Sequence, residues 1–120
     1  MTSHTLEDRL IDFLVAVINL SEDLKKSYAG KHLEGQLVRS GTSPALNYGE
    51  ARSAESPKDF QHKMGISLKE LRETFNTLRI IKRANLYTKK EQDLDKVLTE
   101  NNELISIFVA SIRTSKKNMR

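Results

Sequence analysis

The sequence contains no cysteine, so disulfide bonds and thiolate metal sites are both excluded. Tryptophan is also absent, and the chain has only two prolines, five glycines and 6% aromatic residues. Such a composition is typical of a helical protein and disfavours a β-sandwich or barrel. Because nothing indicates an oxidising compartment, we expect a cytoplasmic protein.

The sequence also lacks a long apolar run. Its most apolar stretch, residues 13–18, is far shorter than the roughly 20 residues that cross a bilayer. Glu7 and Asp8 lie where a signal peptide would need a basic and then an apolar region. We therefore expect neither a signal peptide nor a contact with membrane, and 120 residues fit one domain with one core.

Apolar residues recur in alternating steps of three and four, which is the pattern of helices in a bundle. Short connections between long helices favour an all-α fold, an antiparallel up-down-up-down four-helix bundle. The predicted helices span about residues 5–26, 31–53, 57–84 and 89–114, followed by a frayed basic tail at 115–120.

Helix ends are predicted from capping patterns. Thr5 and Thr88 each precede an acid by three residues, and Ser56 precedes a proline, so all three read as N-caps. A turn is predicted from Ser27 to Gly30. Pro44 has no amide hydrogen, which predicts a kink or a broken turn in the second helix.

The third helix carries a basic row in the same three-and-four spacing. It begins two residues after the apolar stripe at Phe60, a rotation of about 200° that directs it outward. A helix of this length would extend the row over roughly 37 Å, enough to follow several phosphates of a nucleic acid. The basic row, our candidate nucleic-acid-binding set, comprises Lys58, His62, Lys69, Arg72, Arg79 and Arg83.

The alternative interpretation of the basic row is a solvated helix face. Glu70 and Glu73 lie close enough in sequence to neutralise part of the charge, whereas Lys116, Lys117 and Arg120 could add a flexible basic arm.

Helices 1 and 4 are apolar around more of their circumference than one bundle stripe requires. Self-association would cover the excess, and a wide core shielded by lysine stems is the alternative. The expected oligomer interface comprises Ile11, Leu14, Val15, Ile18, Leu104 and Ile107.

Signatures of catalysis are missing. The sequence has no nucleophile turn, no glycine-rich phosphate loop and no histidine pair at metal spacing. Asp59 and His62 have the spacing of half a di-iron site, but no second copy exists. We therefore predict no catalytic residue, metal or cofactor.

Four segments together resemble a known family: residues 36–43, Asn47-Tyr48 with Glu50-Ala51, residues 58–63 and residues 68–74. They are similar to small bacterial four-helix-bundle proteins named for intervening sequences in large-subunit ribosomal RNA genes, sometimes labelled ribosomal proteins. This resemblance implies a ring, usually a homopentamer. It extends distantly to the accessory variability determinant of diversity-generating retroelements, a basic barrel that binds nucleic acid and a reverse transcriptase.

The matching segments include three polar residues, Arg39, Asn47 and Glu50, which we expect to form a buried hydrogen-bond network that fixes helix register. One departure is Pro44-Ala45-Leu46, where the family commonly has a small or β-branched residue followed by glycine and alanine.

Our leading hypothesis is a non-enzymatic, homo-oligomeric accessory protein that binds RNA or DNA and could also meet a protein such as a nucleic-acid enzyme. The alternative is an oligomeric scaffold whose basic row docks acidic side chains of another protein.

Overall fold

The structure is a computed structural model that describes residues 3–119, with side-chain surroundings from residue 5 onward. Within this range the chain is all-α and forms no strand beyond an isolated bridge between Leu24 and Tyr87. None of its helices is long and apolar enough to cross a membrane. Its four helices are α1 (Ser3–Ser21), α2 (Tyr28–Arg52), α3 (Pro57–Arg83) and α4 (Glu91–Asn118).

The connection between α1 and α2 differs from the prediction. Helix α1 ends at Ser21, and Ser27 caps α2 by accepting a hydrogen bond from the Gly30 amide (3.1 Å). The predicted turn at residues 27–30 is therefore the first turn of α2. Gly30 is required there because a Cβ would lie 1.8 Å from the carbonyl oxygen of Lys25.

The chain leaves α1 early because the next residues pair with the α3–α4 connection. The Lys25 amide donates to the Leu86 carbonyl (2.8 Å) and the Thr88 amide donates to the Asp23 carbonyl (2.9 Å). The Thr88 hydroxyl also donates to the Asp23 carbonyl (2.7 Å). The prediction that Thr88 caps helix α4 is therefore wrong, and Lys90 holds the N-cap position without a side-chain hydrogen bond.

Helix α3 begins as predicted. The Ser56 hydroxyl accepts from the Asp59 amide (3.1 Å), and Pro57 occupies the first turn, where its missing amide hydrogen costs no hydrogen bond. The helix ends with Asn85 in the left-handed region (φ 57°), as the amides of Asn85 and Leu86 return to the carbonyls of Lys82 and Ile81.

Two helices are longer or more regular than expected. Helix α2 passes through Pro44 without a broken turn, and the Pro44 carbonyl accepts a hydrogen bond from Ser67 (3.2 Å). Helix α4 continues to Asn118, so residues 115–118, predicted as a frayed tail, are helical. Arg120 lies outside the described residues.

The core takes side chains from all four helices. The predicted inner stripe of α3 is buried except for Phe60, which is half-buried. Leu104, expected on an oligomer interface, is fully buried in the core, because α4 turns it inward together with Asn101 and Phe108. The fully buried apolar side chains include Val17, Leu37, Met64, Leu71, Leu78, Ile81, Leu104 and Phe108.

Helices α1 and α2 approach each other closely at Gly41. A Cβ at this position would lie 2.6 Å from Cγ1 of Val17, a residue with no exposed surface. Only glycine allows this separation of the two helices.

Buried hydroxyl and amide groups connect the helices through the core. The Thr74 hydroxyl donates to Ser40 (2.9 Å), and Asn101 Nδ2 donates to the Leu71 carbonyl (3.0 Å). Asn101 Oδ1 is buried and has no hydrogen-bond partner among the residues described.

The expected network of Arg39, Asn47 and Glu50 does not form. Arg39 is more than half exposed, Asn47 bonds to Ser43 of its own helix, and Glu50 pairs with Lys63 (3.5 Å). The prediction failed because Arg39 and Glu50 reach water at the edge of the α2–α3 contact and Asn47 bonds within α2. The short hydroxyls of Ser40 and Thr74 meet inside the contact instead.

Candidate nucleic-acid interface

The basic row lies on the solvent face of α3, opposite the buried Met64, Leu71 and Leu78. All six of its side chains are exposed. Because α3 is one unbroken helix of 27 residues, the row keeps its predicted length of roughly 37 Å.

The two acids that could have neutralised the row are turned toward α2. Arg39 lies 3.4 Å from Glu70 and 3.1 Å from Glu73, measured between nitrogen and carboxylate oxygen. Burial, and then the neighbouring Glu73 carboxylate, raise the pKa of Glu70. Both acids thus belong to the α2–α3 contact.

Ion pairs join other helices as well, and they use other cations. Arg9 of α1 binds Glu100 (2.7 Å) and Glu103 of α4, contacts that raise the pKa of Arg9, and Lys82 of α3 binds Asp95 of α4 (2.6 Å). Between residues 5 and 119, no cation of the basic row forms an ion pair.

Arg79 is held by its own helix. Its guanidinium carbon lies 5.9 Å from the ring centroid of Phe75, and Nη1 lies 3.4 Å from Oδ1 of Asn76. These contacts orient the guanidinium and leave its charge uncompensated.

Helix α4 adds cations to the same side of the molecule. A groove of about 480 Å³ runs between α3 and α4, and we call it the α3–α4 groove. Four cations and three apolar side chains line it, with no acid among them. The lining residues are Leu68, Arg72, Val109, Ile112, Arg113, Lys116 and Lys117.

This groove was not predicted, because Lys116 and Lys117 fall in the expected frayed tail and Arg113 is not a member of the basic row. One signal was present in the sequence: the two lysines follow Arg113 by three and four residues, the spacing that puts side chains on one helix face.

The predicted oligomer interface is only partly exposed. Ile11 and Val15 on α1 keep 45% and 47% of their surface exposed, whereas Leu14, Ile18 and Ile107 are half-buried. An apolar strip on α1 therefore remains uncovered within the described part of the chain.

No group of three or more histidine, cysteine, aspartate or glutamate side chains within residues 3–119 is arranged to hold a metal ion. His62, at one end of the basic row, is exposed.

The fold and the basic face define a class, the small all-α four-helix proteins with a cationic surface. Within that class, the family model of the 23S rRNA-intervening sequence protein matches residues 6–110, and the chain belongs to this family.

A crystal structure of a protein of unknown function from the S23 ribosomal protein family, from Bacteroides thetaiotaomicron VPI-5482, is similar throughout. It is 28% identical, with a TM-score of 0.80, and the match covers 94% of this chain and 99% of that one. No curated protein matches the sequence.

Proposed function

We propose that this protein is a non-enzymatic, RNA-associated accessory protein that binds nucleic-acid phosphates through the basic row of α3. The observation that carries the proposal is a row of exposed cations without carboxylate partners, beside two acids engaged by Arg39. Membership of a family named for 23S rRNA intervening sequences supports RNA as the nucleic acid.

The row is electrostatically unfavourable when nothing is bound. Lys69 and Arg72, and again Arg79 and Arg83, are like charges at helical neighbour spacing, which costs a few tenths of a kcal/mol per pair, about 0.2–0.5. Phosphate groups would relieve this repulsion and release condensed counterions. The binding energy would come from the backbone, so we expect little base-sequence preference.

We also propose that the helices run up-down-up-down and that five copies form a ring. Contacts between neighbouring helices support the first part, because residue numbers run in opposite order: Arg39 meets Glu73, and Glu50 meets Lys63. The uncovered apolar strip at Ile11 and Val15 supports association. A ring would present the basic row several times and raise the avidity for one strand.

A salt titration of RNA and DNA binding, followed by fluorescence anisotropy, tests the function. The affinity should fall steeply with salt, and the Arg72→Gln/Arg79→Gln variant should lose about 1.4 from the log–log slope for a single strand, since each phosphate contact contributes about 0.7. The loss should be similar for unrelated sequences.

The matched control is Lys31→Gln/Lys96→Gln, which removes two exposed charges outside the row and should change the slope little. If the wild-type protein shows no salt-sensitive binding to any RNA or DNA at low ionic strength, the proposal fails and the protein-scaffold alternative replaces it.

A further inference from the structure

We propose that the α3–α4 groove binds an unpaired segment of single-stranded nucleic acid, with bases against its apolar side chains and phosphates on its cations. This inference rests on the proposed function and adds a substrate class to it, because the basic row alone would serve a duplex equally well.

The apolar side chains that line the groove favour a single strand over a duplex. Leu68, Val109 and Ile112 line the groove and are each only half-buried. Phosphate binding by itself does not need apolar surface. In a duplex the faces of the bases are stacked inside, whereas in a single strand they are free to lie on an apolar surface.

The cations of the groove come from two helices. Lys116 and Lys117 stand in the last turn of α4, where the helix dipole alone would favour cations. The dipole does not account for Arg113, which lies outside that last turn, or for Arg72, which comes from α3. Their planar guanidinium groups can bind phosphate with two hydrogen bonds or stack on a base.

The groove is large enough to hold a small organic group. Its volume of about 480 Å³ falls within the range of roughly 300–1,000 Å³ that is usual for sites holding small organic groups. Together with four cations and no acid, this volume matches a short anionic segment that carries flat apolar groups.

The binding test compares three probes of equal length: a single-stranded oligouridine, an RNA duplex, and a strand with the same phosphates but no bases. The wild-type protein should bind the oligouridine most tightly at equal salt. Val109→Ala should weaken oligouridine binding about three- to tenfold, because apolar contact with the bases is lost, and should leave duplex binding unchanged.

Val109→Thr keeps the shape of the side chain and adds a hydroxyl, so it should also weaken oligouridine binding. Because this variant leaves no cavity, weaker binding by both variants would be due to lost apolar contact and not to misfolding. The matched control is Ile80→Ala, which truncates an apolar side chain on α3 that is 52% exposed and lies outside the groove. Thermal melting of each variant checks that the fold is retained.

The charge test replaces Arg113, Lys116 and Lys117 with glutamine. The single-strand salt slope should fall by about 2, given about 0.7 for each phosphate contact. A variant with Lys89, Lys90 and Lys96 replaced removes equal charge from the region of the opposite end of α4 and should retain the wild-type slope.

Three results would overturn the inference. Equal affinity for all three probes, together with wild-type behaviour of Val109→Ala, would show that bases do not enter the groove. If Lys69→Gln/Arg79→Gln, which removes two charges of the basic row outside the groove, still weakened binding, the proposed function would stand without this inference. Tighter binding of a polyglutamate peptide than of oligouridine would assign the groove to an acidic protein, and a drop in oligomer mass on replacing the groove cations would assign it to a second copy of this chain.

Discussion

The close approach of α1 and α2 at Gly41 should make Gly41→Ala destabilising. The same substitution at the exposed Gly35 should be stabilising. Gly41→Ala would place a Cβ 2.6 Å from Cγ1 of Val17, with Cβ and Cγ2 of the same residue at 3.3 Å. Valine in a helix has one strongly preferred rotamer, so rotation of its side chain cannot relieve the contact. The two helices would have to separate.

The magnitude follows from two opposed effects. Alanine inside a helix is favoured over glycine by about 0.8–1.0 kcal/mol. Overpacking a well-packed core costs typically about 1–3 kcal/mol. Gly35 is exposed, and a Cβ added there would have no atom of a neighbouring helix within 4 Å, so only the gain applies. The free energies of unfolding of Gly41→Ala and Gly35→Ala should therefore differ by about 1–3 kcal/mol, with Gly35→Ala the more stable.

Urea unfolding at one fixed protein concentration measures this difference, because self-association would otherwise change the apparent stability. In a double-mutant cycle, Val17→Ala should cost less in the Gly41→Ala background than in the wild type. If Gly41→Ala stabilised the protein as much as Gly35→Ala does, the close contact between α1 and α2 would be refuted.

Three further predictions concern the core, the pH dependence and assembly. Leu71→Ala, at a fully buried position, should lower the free energy of unfolding by about 2–5 kcal/mol, whereas exposed Gln92→Ala should leave the urea midpoint unchanged. Because the pKa of Glu70 is raised, the folded protein binds the proton of this carboxyl group more tightly than the unfolded chain does. The bound proton therefore stabilises the folded state at low pH, and this contribution is lost as the pH rises through the folded pKa. Glu70→Gln should therefore be more stable than the wild type at pH 7, with a gap that closes below about pH 4 in urea unfolding. Light scattering should give about five times 13.7 kDa for the wild type and a smaller mass for Val15→Lys, and a monomeric wild type would contradict the ring.

The start of α3 could be predicted from the sequence because local chemistry decides it, whereas the same kind of capping signal was wrong at Thr88 and at Thr5, which lies inside α1. Ser56 and Pro57 fix the start of α3. The spacing of Met64, Leu71 and Leu78 fixes its buried face, and the basic row could therefore be predicted to lie on the exposed face. These signals act within one or two helical turns and need no knowledge of neighbouring helices.

Features that depend on contact between distant segments could not be predicted. Helix α1 ends early because residues 23–25 pair with residues 86–88. Leu104 is buried because α4 packs on both α1 and α3, which draws in a wider stripe than its own periodicity suggests. The α3–α4 groove requires both helices and the last turn of α4, and no single segment reveals it.

The central claim is that nucleic acid covers the face formed by the basic row and the α3–α4 groove. Lysine acetylation with and without bound oligouridine, read by mass spectrometry, tests it at every lysine in one measurement. We expect RNA to protect Lys58, Lys69, Lys116 and Lys117, and to leave the exposed Lys31, Lys89, Lys90 and Lys96 as reactive as before. Uniform protection of both sets, or protection confined to the second set, would contradict the account.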